Sequence, residues 1–125
     1  MRYYIGIHTI TDKTGTIAVA VATEASDVIP EKYSGREPWE IRRLLPALAQ
    51  TEHKDLNTAV RAAVQRLYEK MFMYKFIPNP KTCVPPTTIY VPKELAATLE
   101  LDGRVLTTPG KHWTCRLAQK VMVLT

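Results

Sequence analysis

Tyr3, Ile5 and Ile7 fall on one face of an extended segment, and past a polar run from Thr11 to Gly15 the pattern resumes as Thr16-Ile17-Ala18-Val19-Ala20-Val21-Ala22-Thr23. Period-2 alternation with β-branched and aromatic residues predicts two strands joined by a tight turn that ends in glycine. In the second strand Ala18, Ala20 and Ala22 form a small-residue face opposite Ile17, Val19 and Val21, so a helix can pack closely on the alanine side. From Asp55 the period changes. Leu56, Val60, Ala63, Val64, Leu67 and Met71 make one stripe at helical spacing, with Asp55 or Asn57 to cap the start and no Gly or Pro inside. These signals predict an α+β fold: a mixed or antiparallel sheet of about four to six strands, with one long helix over about residues 55–72 packed across it.

The remaining segments carry weaker patterns. Residues 27–37 read as a loop broken by Pro30 and Gly35. Pro38 suits a first helical position, and Ile41, Leu44, Leu45 and Leu48 recur at helical spacing before or across Pro46, which predicts a short helix or helical turn. Phe72, Met73, Tyr74, Phe76 and Ile77 form a dense aromatic and methionine cluster, suited to a core or a subunit contact. Four prolines between Pro78 and Pro86 exclude regular structure there. Thr87 to Val91 reads as a strand and Pro92 to Leu99 as a short helix. Asp102-Gly103 and Pro109-Gly110 are turn dipeptides, with Arg104 to Leu106 and Thr114 to Leu124 as closing strands. No repeat, linker or low-complexity tract interrupts the pattern, which predicts a single domain over residues 1–125.

Composition narrows the class. A 125-residue chain with 46% hydrophobic and 23% charged residues is ordinary for a folded domain. The longest uncharged apolar stretch, Thr16 to Thr23, falls far short of the roughly 20 residues that span a bilayer, so no membrane association is expected. The amino-terminal residues show no signal-peptide pattern, and a cytoplasmic location is expected, in the host cell if the protein is viral. Cys83 and Cys115 have no zinc-type spacing and read as small buried thiols. The net charge is +5, and it is uneven: residues 1–35 hold three Lys or Arg against four acids, whereas residues 36–125 hold fourteen against eight. Such an excess favours an anionic partner, whether a small molecule or nucleic acid.

The opening Tyr4-Ile5-Gly6-Ile7-His8-Thr9-Ile10-Thr11-Asp12-Lys13-Thr14-Gly15-Thr16-Ile17-Ala18-Val19 resembles the first hairpin of the ribonuclease-H-like superfamily, above all its resolvase branch. The resemblance covers about 25 residues by motif and about two thirds of the chain by the order hairpin, helix, strand, helix. It implies a ribonuclease-H-like fold and a metal-dependent nuclease ancestry. That chemistry needs carboxylates from different elements around two divalent metals. The first of them belongs where this chain has His8, and the strand Thr87 to Val91 carries none. The resemblance therefore implies a member that has lost catalysis, unless Asp12, Glu94 or Asp102 rebuild an acidic site.

Other reactive constellations are missing from the sequence. His8, His53 and His112 have no metal-ligand spacing, Ser26 and Ser34 lie in no nucleophile elbow, and five scattered glycines form neither phosphate-binding loop. No metal, cofactor or catalytic residue is implied, and a binding protein is expected more than an enzyme. What the later part of the chain offers is cations among aromatic and amide side chains: Arg61, Phe76, Asn79, Arg104, Lys111, Trp113 and Arg116. Arginine forks hold phosphates bidentately, aromatic faces stack bases and an asparagine reads their edges, so these seven are the candidate ligand-binding residues. They predict a non-catalytic binder of a phosphate-bearing ligand, a nucleotide or cyclic nucleotide signal. In size, basicity and lack of catalytic groups the chain is similar to small viral anti-defence proteins that sequester such signals. A nucleic-acid-binding accessory protein is the further alternative, and the aromatic cluster after the long helix suggests a homo-oligomer.

Overall fold

The computed structural model describes residues 3–73, 87–92, 95, 104–106 and 112–123. Strand β1 (Tyr3–Asp12) and strand β2 (Gly15–Glu24) form the expected hairpin, in register from Tyr3↔Glu24 to Asp12↔Gly15. Its turn is closed by Asp12, whose Oδ1 accepts from the Thr14 N–H at 2.7 Å, the Thr14 hydroxyl at 2.6 Å and the Gly15 N–H at 3.2 Å. Gly15 sits at φ +145°, and a Cβ there would stand 2.7 Å from the His53 carbonyl oxygen, so the position requires glycine on both counts.

A 3-10 turn (Glu31–Tyr33) and helix α1 (Pro38–Leu44) lead to strand β3 (Ala47–His53), then helix α2 (Leu56–Met73), strand β4 (Thr87–Tyr90), strand β5 (Arg104–Leu106) and helix α3 (Trp113–Val121). The sheet order is β3-β2-β1-β4-β5. β2 runs antiparallel to β1 and β3, while β4 is parallel to β1 and β5 to β4, so the sheet is mixed with β2 as its one reversed strand.

Alternation along β1 and β2 divides the core into two layers. Ile5, Ile7, Ala18, Ala20 and Ala22 face α2, where Val60, Ala63, Leu67 and Met71 lie fully buried against them, joined by Ala47, Ala49 and Ile89. The alanine face lets the helix approach the sheet. Each large α2 side chain so buried contributes about 1.5–3 kcal/mol. Val19 and Val21 point the other way and meet Tyr33, Ile41, Leu45, Leu117, Ala118 and Val121. Helices therefore cover both faces.

Three expectations need correction. The closing strand expected from Thr114 is a helix as far as Val121: Thr114, Leu117, Ala118 and Val121 are buried at three- and four-residue spacing, the pattern of α3, and Leu124 lies outside the described residues. The long helix is not alone on the sheet, because α1 and α3 fill the opposite face. No helix crosses Pro46: α1 ends at Leu44, and Leu48 belongs to β3, where pairing with β2 over Ala22↔Ala47 to Thr16↔His53 overrides local preference. The strand at 104–106 and the long helix, which runs Leu56–Met73, are as expected. Of the helix expected from Pro92 to Leu99, Leu95 is helical and buried, its N–H bonding the Pro92 carbonyl at 2.9 Å, and most of the rest lies outside the described residues. The side chains of Phe72, Met73 and Phe76 and the Cys83 thiol lie outside them as well. Cys115 is buried, its thiol donating to the Tyr90 carbonyl oxygen at 3.4 Å.

Candidate anion-binding cleft

At the end of the sheet where β1 and β3 begin and β2 finishes, a cleft of about 930 Å³ opens between the end of α1 and the later part of α2. It is lined by Arg42, Arg43 and Lys70 together with Glu24, and its floor is Tyr3, Leu45, Pro46, Ala47 and Leu48. The size is within the roughly 300–1,000 Å³ usual for small-molecule sites.

The charges are arranged unequally. Glu24 already has partners: Lys32 Nζ donates to its Oε1 at 2.7 Å and the Tyr33 hydroxyl to its Oε2 at 3.2 Å. Partial burial pushes the Glu24 carboxyl up, but these donors and the Lys32 charge outweigh it and hold the group below the usual glutamate value. Burial first, then the Glu24 charge and hydrogen bond, raise the Tyr33 phenol well above its ordinary value, so it stays a donor. The carboxylate is thus already paired, and the three cations dominate the cleft.

Each cation is held differently. Arg42, half-buried, donates from Nε at 2.9 Å and Nη2 at 2.7 Å to the Val121 carbonyl, satisfying a helix-end acceptor of α3 and fixing its guanidinium. Lys70 Nζ donates to the Leu48 carbonyl at 2.6 Å, which leaves two of its three ammonium hydrogens. Arg43 is exposed and makes neither a hydrogen bond nor an ion pair among the described residues; its guanidinium carbon stands 5.6 Å from the ring centre of Trp39, one turn earlier on α1. Two anchored cations and one arginine whose hydrogen-bond donors are unused among the described residues make a site for a polyoxygen anion such as a phosphate.

The residues singled out from sequence are scattered over the fold or lie outside the described residues. Arg61 is exposed on α2 and Arg116 on α3, and neither lines the cleft. Phe76, Asn79 and Lys111 fall outside the described residues. Arg104 is placed only by its backbone, in the β5 row beside Thr88, itself beside Tyr4. Trp113 alone joins a recorded cluster: its indole N–H donates to the Ser26 carbonyl at 3.2 Å, and its ring lies 6.3 Å from Tyr4 and 5.4 Å from His112. The His112 and Tyr90 rings stack at 3.5 Å and 1°, with Tyr4 edge-on to both.

This second cluster exists because α3 begins very close to the sheet. A Cβ on Gly6 would lie 2.3 Å from the Thr114 carbonyl carbon. His112 caps the helix, its Nδ1 accepting from the Thr114 N–H at 3.3 Å with the Thr114 hydroxyl at 2.8 Å. Burial lowers the His112 pKa below the ordinary histidine value, in keeping with an acceptor nitrogen at a helix amino-terminus, where a positive charge is disfavoured. Across the hairpin from Tyr4, the Thr23 hydroxyl is buried and has no hydrogen-bond partner among the described residues.

No family model matches the chain, and comparison with curated proteins and solved structures returns no match either. The site is therefore read from its own geometry. Among the described residues no group of three His, Cys, Asp or Glu could hold a metal ion, and no helix is long and apolar enough to cross a membrane. Asp12 is engaged by its own turn, while Glu94 and Asp102 lie outside the described residues. Sequence reasoning missed Arg42, Arg43 and Lys70. The Arg42-Arg43 pair at the end of a short helix was a visible signal, whereas Lys70 reaches the cleft only because α2 packs beside β3.

Proposed function

We propose that the protein binds a phosphate-bearing small molecule, a nucleotide or cyclic nucleotide signal, without transforming it, and that the cleft of Arg42, Arg43 and Lys70 is where it does so. The observation that carries the reading is the Arg43 guanidinium, without a hydrogen-bond or ion-pair partner among the described residues, beside two anchored cations, with the one carboxylate that lines the cleft among the described residues already paired. A ligand held in such a cleft loses solvent and gains charge-assisted hydrogen bonds. The role that fits is sequestration of a nucleotide signal, as small viral anti-defence proteins perform it. The fold proposed is ribonuclease-H-like: a sheet whose second strand alone is reversed, with the hairpin first and helices on both faces, supports it. His8 at the place of the first carboxylate supports loss of the metal-dependent reaction.

Differential scanning fluorimetry with inorganic pyrophosphate tests the reading. At a hundredfold excess over the dissociation constant, binding stabilises the native state by about 2.7 kcal/mol, which raises Tm by roughly 10 °C for a domain of this size. Arg43→Gln, at an exposed position, is expected to remove most of the shift without lowering the Tm of the free protein. Pyrophosphate leaving Tm unchanged would contradict the proposal.

A further inference from the structure

Trp39 is a large apolar side chain left 60% exposed on α1, while nearly all the other aromatic rings among the described residues are buried or half-buried. A single exposed apolar residue needs no explanation in general. This one stands beside a residue that also lines the cleft. Arg43 lies one helical turn on, its guanidinium 5.6 Å from the indole centre, and Arg43 also lines the cleft, so the exposed ring stands next to the cleft without being part of its wall. The interaction orients the guanidinium at the cleft mouth and leaves much of the indole open to a second flat partner.

We infer that Trp39 is the base-stacking element of the cleft, so that the ligand is a nucleotide whose phosphate meets Arg43, Arg42 and Lys70 and whose base lies on the indole. The inference rests on the cleft reading above and specifies it: the ligand class becomes a nucleoside phosphate, and a bare phosphate lacks half of the contacts. The ring supplies affinity through its π-face and is tolerant of base identity, while the cations supply the charge recognition. The cleft volume of about 930 Å³ leaves room for a sugar phosphate next to Arg43.

Isothermal titration of the wild-type chain and Trp39→Ala with AMP, inorganic phosphate and adenosine tests it. Trp39 is exposed, so the variant is expected to fold, which an unchanged Tm verifies. AMP is expected to bind the wild type more tightly than phosphate, and Trp39→Ala to weaken AMP by roughly 5- to 150-fold, the range for removing one base stack, while phosphate affinity stays the same. Equal affinity for AMP and phosphate, untouched by Trp39→Ala, would overturn the stacking role and leave the anion cleft standing. Binding of neither AMP nor phosphate would overturn both.

Discussion

Gly6 and His112 fix how α3 meets the sheet, and each gives a measurable consequence. With a side chain at position 6 placed 2.3 Å from the Thr114 backbone, the helix must move, so Gly6→Ala is expected to destabilise the protein by about 1–3 kcal/mol, the usual cost of overpacking a core. Urea denaturation measures it, and an unchanged midpoint would show that α3 is not packed this closely. His112 has a native pKa below its unfolded value of about 6.5. Above that pH it is neutral in both states and the cap is intact; below it the unfolded chain takes up the proton first, and stability falls with pH until the native pKa is passed. His112→Asn keeps a capping acceptor and removes the titration, so its stability is expected to decline less than the wild type's between pH 7 and 5. Parallel declines would assign the pH dependence to other groups.

At the scale of elements, the free edge of the sheet is guarded by the helix beneath it. Arg66 donates to the Gln50 carbonyl at 3.3 Å and Lys70, four residues on, to the Leu48 carbonyl at 2.6 Å, so two acceptors of edge strand β3 are occupied. The Gln50 amide closes the other side, donating to the Val123 carbonyl at 2.7 Å and accepting from its N–H at 3.0 Å. Unguarded edges recruit further strands. The Arg66→Ala, Lys70→Ala double variant is expected to associate with rising concentration more than the wild type, as light scattering after size exclusion reports; equal behaviour would remove the guarding role. The hairpin and α2 were legible in the sequence because their periods are long and unbroken. β3 was not, since Ala47, Ala49, Gln50 and Glu52 have little strand preference and become a strand by pairing with β2. α3 was read as a strand because Thr114, Val121 and Val123 are β-branched and Pro109-Gly110 suggested a hairpin, while the stripe of Leu117, Ala118 and Val121 makes sense only with a second sheet face to cover.

Across the whole molecule, helices on both faces leave the end of the sheet as the open place, and there the cleft forms. Its cations come from α1 and α2, 27 or more positions apart in the sequence, which is why charge counting found the excess but not its focus. The seven residues proposed from sequence were chosen as cations near aromatics along the chain. The same pairing exists in space as Arg43 and Trp39 on one helix turn. The account depends on where an anion lands, and a ¹H–¹⁵N correlation spectrum titrated with pyrophosphate reads that position directly. The account predicts shifts confined to the amides of Arg42, Arg43, Leu45, Leu48 and Lys70. Shifts centred on Tyr4, Tyr90 and Trp113 instead, or none at all, would contradict it.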